Sequence, residues 1–190
     1  MVEDIRKILN SACRGDKEAF GQLVRMYQRR VYLIAFRMTG NHEDANDVAQ
    51  EAFIRAFRGI SSFQGQSDFF TWLYRIVINV SLNHLRSRRR RPVVSLDDVI
   101  LPAELQEKTK DDPGRSLELK QMVKEIGEVL DELPDSMRAT VVMVVFDGMP
   151  YKDVASVLEC SEGTVAWRIF EARKRMLIRL GKYLSSSEEN

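Results

Sequence analysis

Arg75, Asn79, Asn83 and Arg86 recur at three- and four-residue steps, so on a helix they share one strip. With Trp72 at 0° on a wheel, the four fall between about 300° and 20°, beside the indole; Leu73, Ile76, Val77 and Val80 fall between about 40° and 140° as a core face. Amides can read base edges, and guanidinium planes and aromatic rings can stack on unpaired bases at ~1 to 3 kcal/mol each. The loop before this helix, Phe63-Gln64-Gly65-Gln66-Ser67, adds an aromatic residue and turn formers, and Arg88 to Arg91 after it can hold phosphates. Single-stranded nucleic acid is the ligand this surface suits. Taken singly, Phe69, Phe70, Trp72 and Tyr74 are most simply core aromatics; the case for binding rests on coincidence along one face.

A second group lies near the C-terminus. Tyr151 to Glu159, a short break at Cys160 and Ser161, and Glu162 to Arg175 have helix-turn-helix proportions. Val154, Ala155 and Leu158 can pack on Val165 and Ile169, leaving Trp167, Phe170, Glu171 and Lys174 to face a major groove. Ser161 is a natural N-cap, and the first-turn amides beside Gly163 and Thr164 can meet a phosphate. Arg168, Arg173, Lys174, Arg175, Arg179 and Lys182 outnumber Glu162 and Glu171, which favours a phosphate-facing hairpin over an ordinary solvated helix pair.

Other chemistry finds little support. The histidines are His42 and His84, outside any ligand-spaced cluster, and Asp44, Asp47 and Glu51 read as a solvated helix face. No catalytic residue, metal site or cofactor is expected. Cys13 and Cys160 form no CxxC pair, which suits a reducing cytoplasm. No export signal is read at the N-terminus. The apolar run from Phe69 to Leu82 is broken by Arg75 and Asn79 and falls short of the ~20 residues that span a bilayer, so no membrane contact is expected.

The elements that position these groups are helical. Phe20, Leu23, Val24, Tyr27, Val31 and Ile34 keep helical spacing after Asp16, a plausible N-cap; Asn41 and Asp44 open a second helix, which runs through Val48 and Phe57 to a stop at Gly59. The formal net charge of +1 hides opposed blocks: the arginine run to Arg91 gives way to Asp97, Asp98, Glu104, Glu107, Asp111 and Asp112. The expected fold is all-α, with two small helical domains at 1–91 and 117–184, an irregular acidic linker at 92–116 and a tail at 185–190.

Together, DANDVAQEAFIRAFRGISSFQ (44–64), SDFFTWLYRIVINVSLNHLR (67–86) and YKDVASVLECSEGTVAWRIFEARKRM (151–176) resemble extracytoplasmic-function (ECF, group IV) sigma factors of bacterial RNA polymerase, sigma-70 relatives of the sigma-E type. The resemblance implies a region 2-like and a region 4-like domain around a tether. It implies that Asp47, Gln50, Glu51, Ile54 and Arg55 dock the β′ coiled coil of core polymerase. Phe63, Gln64, Gly65, Gln66 and Ser67, with Asn79 and Asn83, would capture a flipped base of the −10 element, while Trp72, Arg75 and Arg86 support strand separation and phosphate binding. Ser161, Gly163, Thr164, Ala166, Trp167, Arg168, Phe170, Glu171, Arg173 and Lys174 would read the −35 element, and the helices before them would meet the β flap. The linker would thread through the polymerase, and an anti-sigma protein is an implied partner. Ala166 and Glu171 depart from the common pattern, where basic residues are frequent, and Trp167 is unusual. The competing reading is a dimeric helix-turn-helix operator-binding regulator, which accounts for the hairpin but not for the Asn79/Asn83 strip.

Overall fold

The structure, a computed structural model, describes residues 2–65, 67–88 and 113–185. The chain divides into two units, residues 1–93 and 94–190, and no strand occurs among the described residues. Gln66, Arg89 to Arg91, nearly all of the expected linker and the tail beyond Ser185 lie outside the described residues.

In the first unit α1 (Val2–Cys13), α2 (Lys17–Thr39), α3 (His42–Gly59) and α4 (Phe69–Arg88) pack together, with a 3-10 turn at Ile60–Ser62. Asp16 caps α2 by accepting from the amides of Glu18 (2.9 Å) and Ala19 (3.1 Å). Gly40 ends it at φ 80°, a conformation glycine adopts without Cβ strain, and its N–H reaches the Phe36 carbonyl. Asn41 then caps α3: its side-chain oxygen accepts from the Asp44 amide at 2.8 Å, and its Nδ2 donates to the Asp44 carboxylate at 2.6 Å. The buried face of α3 is Ala45, Val48, Ala52 and Ala56, small enough for close approach to Leu23, Val31, Ile34 and Met38 of α2. α1 was not among the expected elements; Ile5, Ile8, Leu9 and Ala12 keep the helical step there, and it packs on α2.

The core arc of α4 is wider than the wheel suggests. Tyr74 and Ile78 are buried along with Leu73, Val77 and Val80, because α4 packs on both α2 and α3. Ser81 tolerates burial by donating to the Val77 carbonyl at 2.9 Å. Each buried aliphatic side chain on this arc is worth roughly 1.5 to 3 kcal/mol of transfer free energy before conformational entropy is subtracted.

The second unit contains α5 (Pro113–Glu132), α6 (Asp135–Val141), a π turn (Val142–Phe146), α7 (Tyr151–Val157) and α8 (Glu162–Ser185). α5 begins inside the expected linker, at a proline, which the first helical position tolerates since its N–H would have no intrahelical partner there. Pro134 separates α5 from α6 and its carbonyl accepts from the Met137 and Arg138 amides. Leu130, Leu133, Met137, Val141 and Ala172 form the core, with Ile126, Ile169 and Met176 against it. Arg138 is buried, its charge paired with Asp131. The π turn buries Val142 and Met143 but turns Val145 and Phe146 outward; the Asp147 amide reaches back to the Val142 carbonyl at 3.2 Å.

Candidate nucleic-acid interface

Arg75, Asn79, Asn83 and Arg86 are all exposed on one side of α4, opposite its core arc. Gln64, Gly65 and Ser67 are exposed in the loop before it, with Gly65 at φ 69°. Asp68 starts α4 by accepting from the Phe70 amide at 2.9 Å. Trp72 is not a free stacking platform. Its ring lies 5.4 Å from Phe63 and 5.7 Å from Phe69, and a Cβ on Gly59 would meet it at 3.5 Å. The half-buried indole therefore braces Phe63 and the loop beside the polar strip, a positioning contact that spacing within α4 cannot reveal.

Two residues of α2 pack on Phe70 of α4, about 160° around the helix from Trp72. Tyr27 of α2 stacks on Phe70 with ring centroids 5.5 Å apart, and the Arg30 guanidinium lies 3.6 Å from the centre of the same Phe70 ring. Burial, and secondarily the negative charge of Asp68, raise the Tyr27 phenol above its ordinary pKa, with Arg30 opposing. Phe70, in the first turn of α4, was visible in the sequence; its cation from another helix was not.

On α3, Asp47, Gln50, Ile54 and Arg55 are exposed and Glu51 is half-buried, all away from the alanine-rich core side. Glu51 accepts from Arg55 Nε at 2.7 Å, so the pair presents a locally neutralised patch next to exposed Ile54. Asp44 departs from the expected solvated acidic face: its carboxylate meets His84 Nε2 at 2.9 Å and Asn41, tying α3 to α4. His42 lies against Phe36 at 4.9 Å and hydrogen-bonds Tyr32. Among the described residues no group of three His, Cys, Asp or Glu side chains is arranged to hold a metal ion.

At the hairpin, Val154, Ala155 and Val165 are buried and Leu158 and Ile169 half-buried, which joins α7 to α8. Ser161 caps α8, accepting from the Thr164 amide at 3.1 Å while its Oγ also meets the Thr164 hydroxyl at 2.9 Å. Gly163, Ala166, Trp167, Phe170, Arg173 and Lys174 are exposed; Thr164, Arg168 and Glu171 are half-buried. Arg168 donates toward Cys160 Sγ at 3.8 Å, and Glu171 accepts from Arg175 Nε at 3.0 Å. Arg173 instead borders an apolar groove of about 310 Å³ that Met122, Val145, Ile169, Met176 and Leu180 help to line.

The family model for Sigma-70 region 2 matches residues 23–91, and that for Sigma-70, region 4 matches residues 124–176. The RNA polymerase sigma-H factor of Pseudomonas aeruginosa is 37% identical over 176 residues, covering 90% of this chain and 91% of that protein. The ECF RNA polymerase sigma-E factor of Escherichia coli K12 is 35% identical over 165 residues, 85% of this chain and 86% of the relative. Among solved structures, CnrH in complex with the cytosolic domain of CnrY aligns with a TM-score of 0.65 and 25% identity over 93% of this chain and 97% of that one. RpoE of Bartonella quintana, crystallised with the anti-sigma factor NepR, shares the fold with a TM-score of 0.67 and 23% identity, over 85% of this chain and 96% of that one. No helix among the described residues is long and apolar enough to cross a membrane.

Proposed function

The chain belongs to the sigma-70 family, in its extracytoplasmic-function group, and from that membership we propose how its surfaces divide the work of an alternative sigma factor. It binds core RNA polymerase and directs it to promoters, acting in the cytoplasm and supplying no chemistry of its own. The exposed α3 face of Asp47, Gln50, Glu51, Ile54 and Arg55 docks the β′ coiled coil. Asn79, Asn83, Arg75 and Arg86 on α4, with Phe63, Gln64, Gly65 and Ser67, take the displaced −10 strand, Trp72 holding Phe63 in position. Gln66 belongs to the same reading but lies outside the described residues. Extruding a base costs a few kcal/mol of unstacking, which a preformed pocket and the polymerase contacts must offset. Ser161, Gly163, Thr164, Ala166, Trp167, Arg168, Phe170, Glu171, Arg173 and Lys174 form the −35 surface, and the helices preceding them meet the β flap. An anti-sigma protein is a further partner, as NepR is for Bartonella quintana RpoE.

The observation that carries this reading is the match to sigma-E and sigma-H factors along nearly the whole chain, with region 2 before region 4. A dimeric operator-binding regulator leaves the exposed asparagine strip of α4 unused. Run-off transcription with core polymerase and a genomic library tests the reading: the chain should open promoters that core enzyme alone does not use. Tight operator binding by the purified chain, with no gain in transcription on adding polymerase, would refute it.

A further inference from the structure

Two large aromatic side chains sit on the outward face of α8, where the packing of the unit does not need them. Trp167 is 59% exposed and Phe170 67% exposed, and the three-residue step between them leaves them about 60° apart around the helix. Exposed Ala166 beside them adds a small apolar group. The charges of the same turns are turned aside. Glu171 is only 26% exposed and is held by Arg175; a guanidinium N–H of Arg168 points back to Cys160; Arg173 borders the apolar groove. Lys174 is exposed close to the aromatic pair, so this face offers ring surface with a cation next to it.

Base edges in the major groove differ in what they offer such a face. Guanine is read by a bidentate Arg or Lys and adenine by Asn or Gln, whereas thymine presents a C5-methyl next to its O4 acceptor. An indole complements both thymine features at once, its ring covering a methyl and its Nε1–H donating to an oxygen. Phe170 can cover a second methyl.

We propose that Trp167 and Phe170 make α8 a reader of thymine methyl groups, so that A·T pairs in the upstream duplex are its ligand and Trp167 is a specificity-determining residue. The inference rests on the −35 role given to α8 above. Charge complementarity favours duplex DNA over a protein as the occupant: the acid of these turns, Glu171, is neutralised by Arg175, and Lys174 remains exposed beside the rings to meet a phosphate.

The test uses holoenzyme reconstituted from the full chain and core polymerase, selecting promoter duplexes randomised in the upstream element. Thymines should be enriched at fixed upstream positions. Replacing those thymidines by deoxyuridine removes only the methyls, and holoenzyme affinity should fall about fourfold per methyl, the factor equivalent to about 0.8 kcal/mol per buried carbon. Trp167→Ala, at a surface position that folding tolerates, should bind the thymidine duplex more weakly and no longer distinguish it from the deoxyuridine duplex. Trp167→Phe keeps a ring and should keep most of the discrimination. Equal affinity of wild-type holoenzyme for both duplexes, with upstream selection intact, would overturn methyl reading and leave the −35 role standing. No upstream selection at all would overturn the −35 role as well. If Trp167→Ala keeps the discrimination and instead loses core polymerase, the indole is a protein contact and the inference fails.

Discussion

Asn79 and Asn83 are exposed, one helical turn apart, and make no contribution to the core of the first unit. Their replacement should therefore separate function from stability. Asn79→Ala and Asn83→Ala should each lower open-complex formation roughly 5- to 150-fold, the range equivalent to ~1 to 3 kcal/mol per base-edge contact, while thermal unfolding stays within about 0.5 kcal/mol of wild type. Permanganate footprinting of the melted strand, beside calorimetry of the free chain, checks both halves. Tyr27 makes a pH-dependent contribution of known sign. Because burial and Asp68 raise its phenol above the ordinary value near 10, the folded state holds that proton more tightly than the unfolded chain does. The resulting stabilisation is complete below about pH 10 and disappears as pH climbs through the folded-state value. Tyr27→Phe should accordingly flatten the fall in stability above about pH 10, measured by denaturant titration on either side of it.

For single elements, local caps set what the tertiary contacts then use. Ser161 satisfies the Thr164 amide at the start of α8, so Ser161→Ala should cost about 1 kcal/mol of stability and weaken upstream duplex binding in parallel; loss of binding without loss of stability would point to a direct phosphate contact instead. Much of this was legible in the sequence, because caps and helical steps are local: Asp16, Asn41, Gly59 and Ser161 all mark real boundaries. What escaped was non-local or aperiodic. The wheel for α4 offered Trp72 to solvent, whereas its partners Phe63 and Gly59 come from the preceding loop and helix. Asp44 reads as one more surface acid until His84 is brought to it across the helix pair. The run Val141 to Phe146 is uniformly apolar, so no period within it could announce a π turn or say that Val145 faces outward.

For the whole molecule, a formal net charge of +1 describes neither proposed partner surface, and in the proposed function the two units act on one promoter only through the polymerase. The outward face of α3 is where that attachment is proposed. Asp47→Ala combined with Gln50→Ala should reduce capture of core polymerase about 5- to 10-fold, the consequence of losing roughly 1 to 1.4 kcal/mol of interface contacts, with no change in the unfolding midpoint; a pull-down against immobilised core enzyme reads it. Unaltered capture by the double variant would move the docking surface elsewhere. The chain has two cysteines, Cys13 in one unit and Cys160 in the other, and both are free thiols. The natural sequence thus supplies one attachment point per unit for a pair of nitroxide labels, and dipolar spectroscopy on unmutated protein can follow the spacing of the two units before and after an inhibitor or the enzyme takes hold of them.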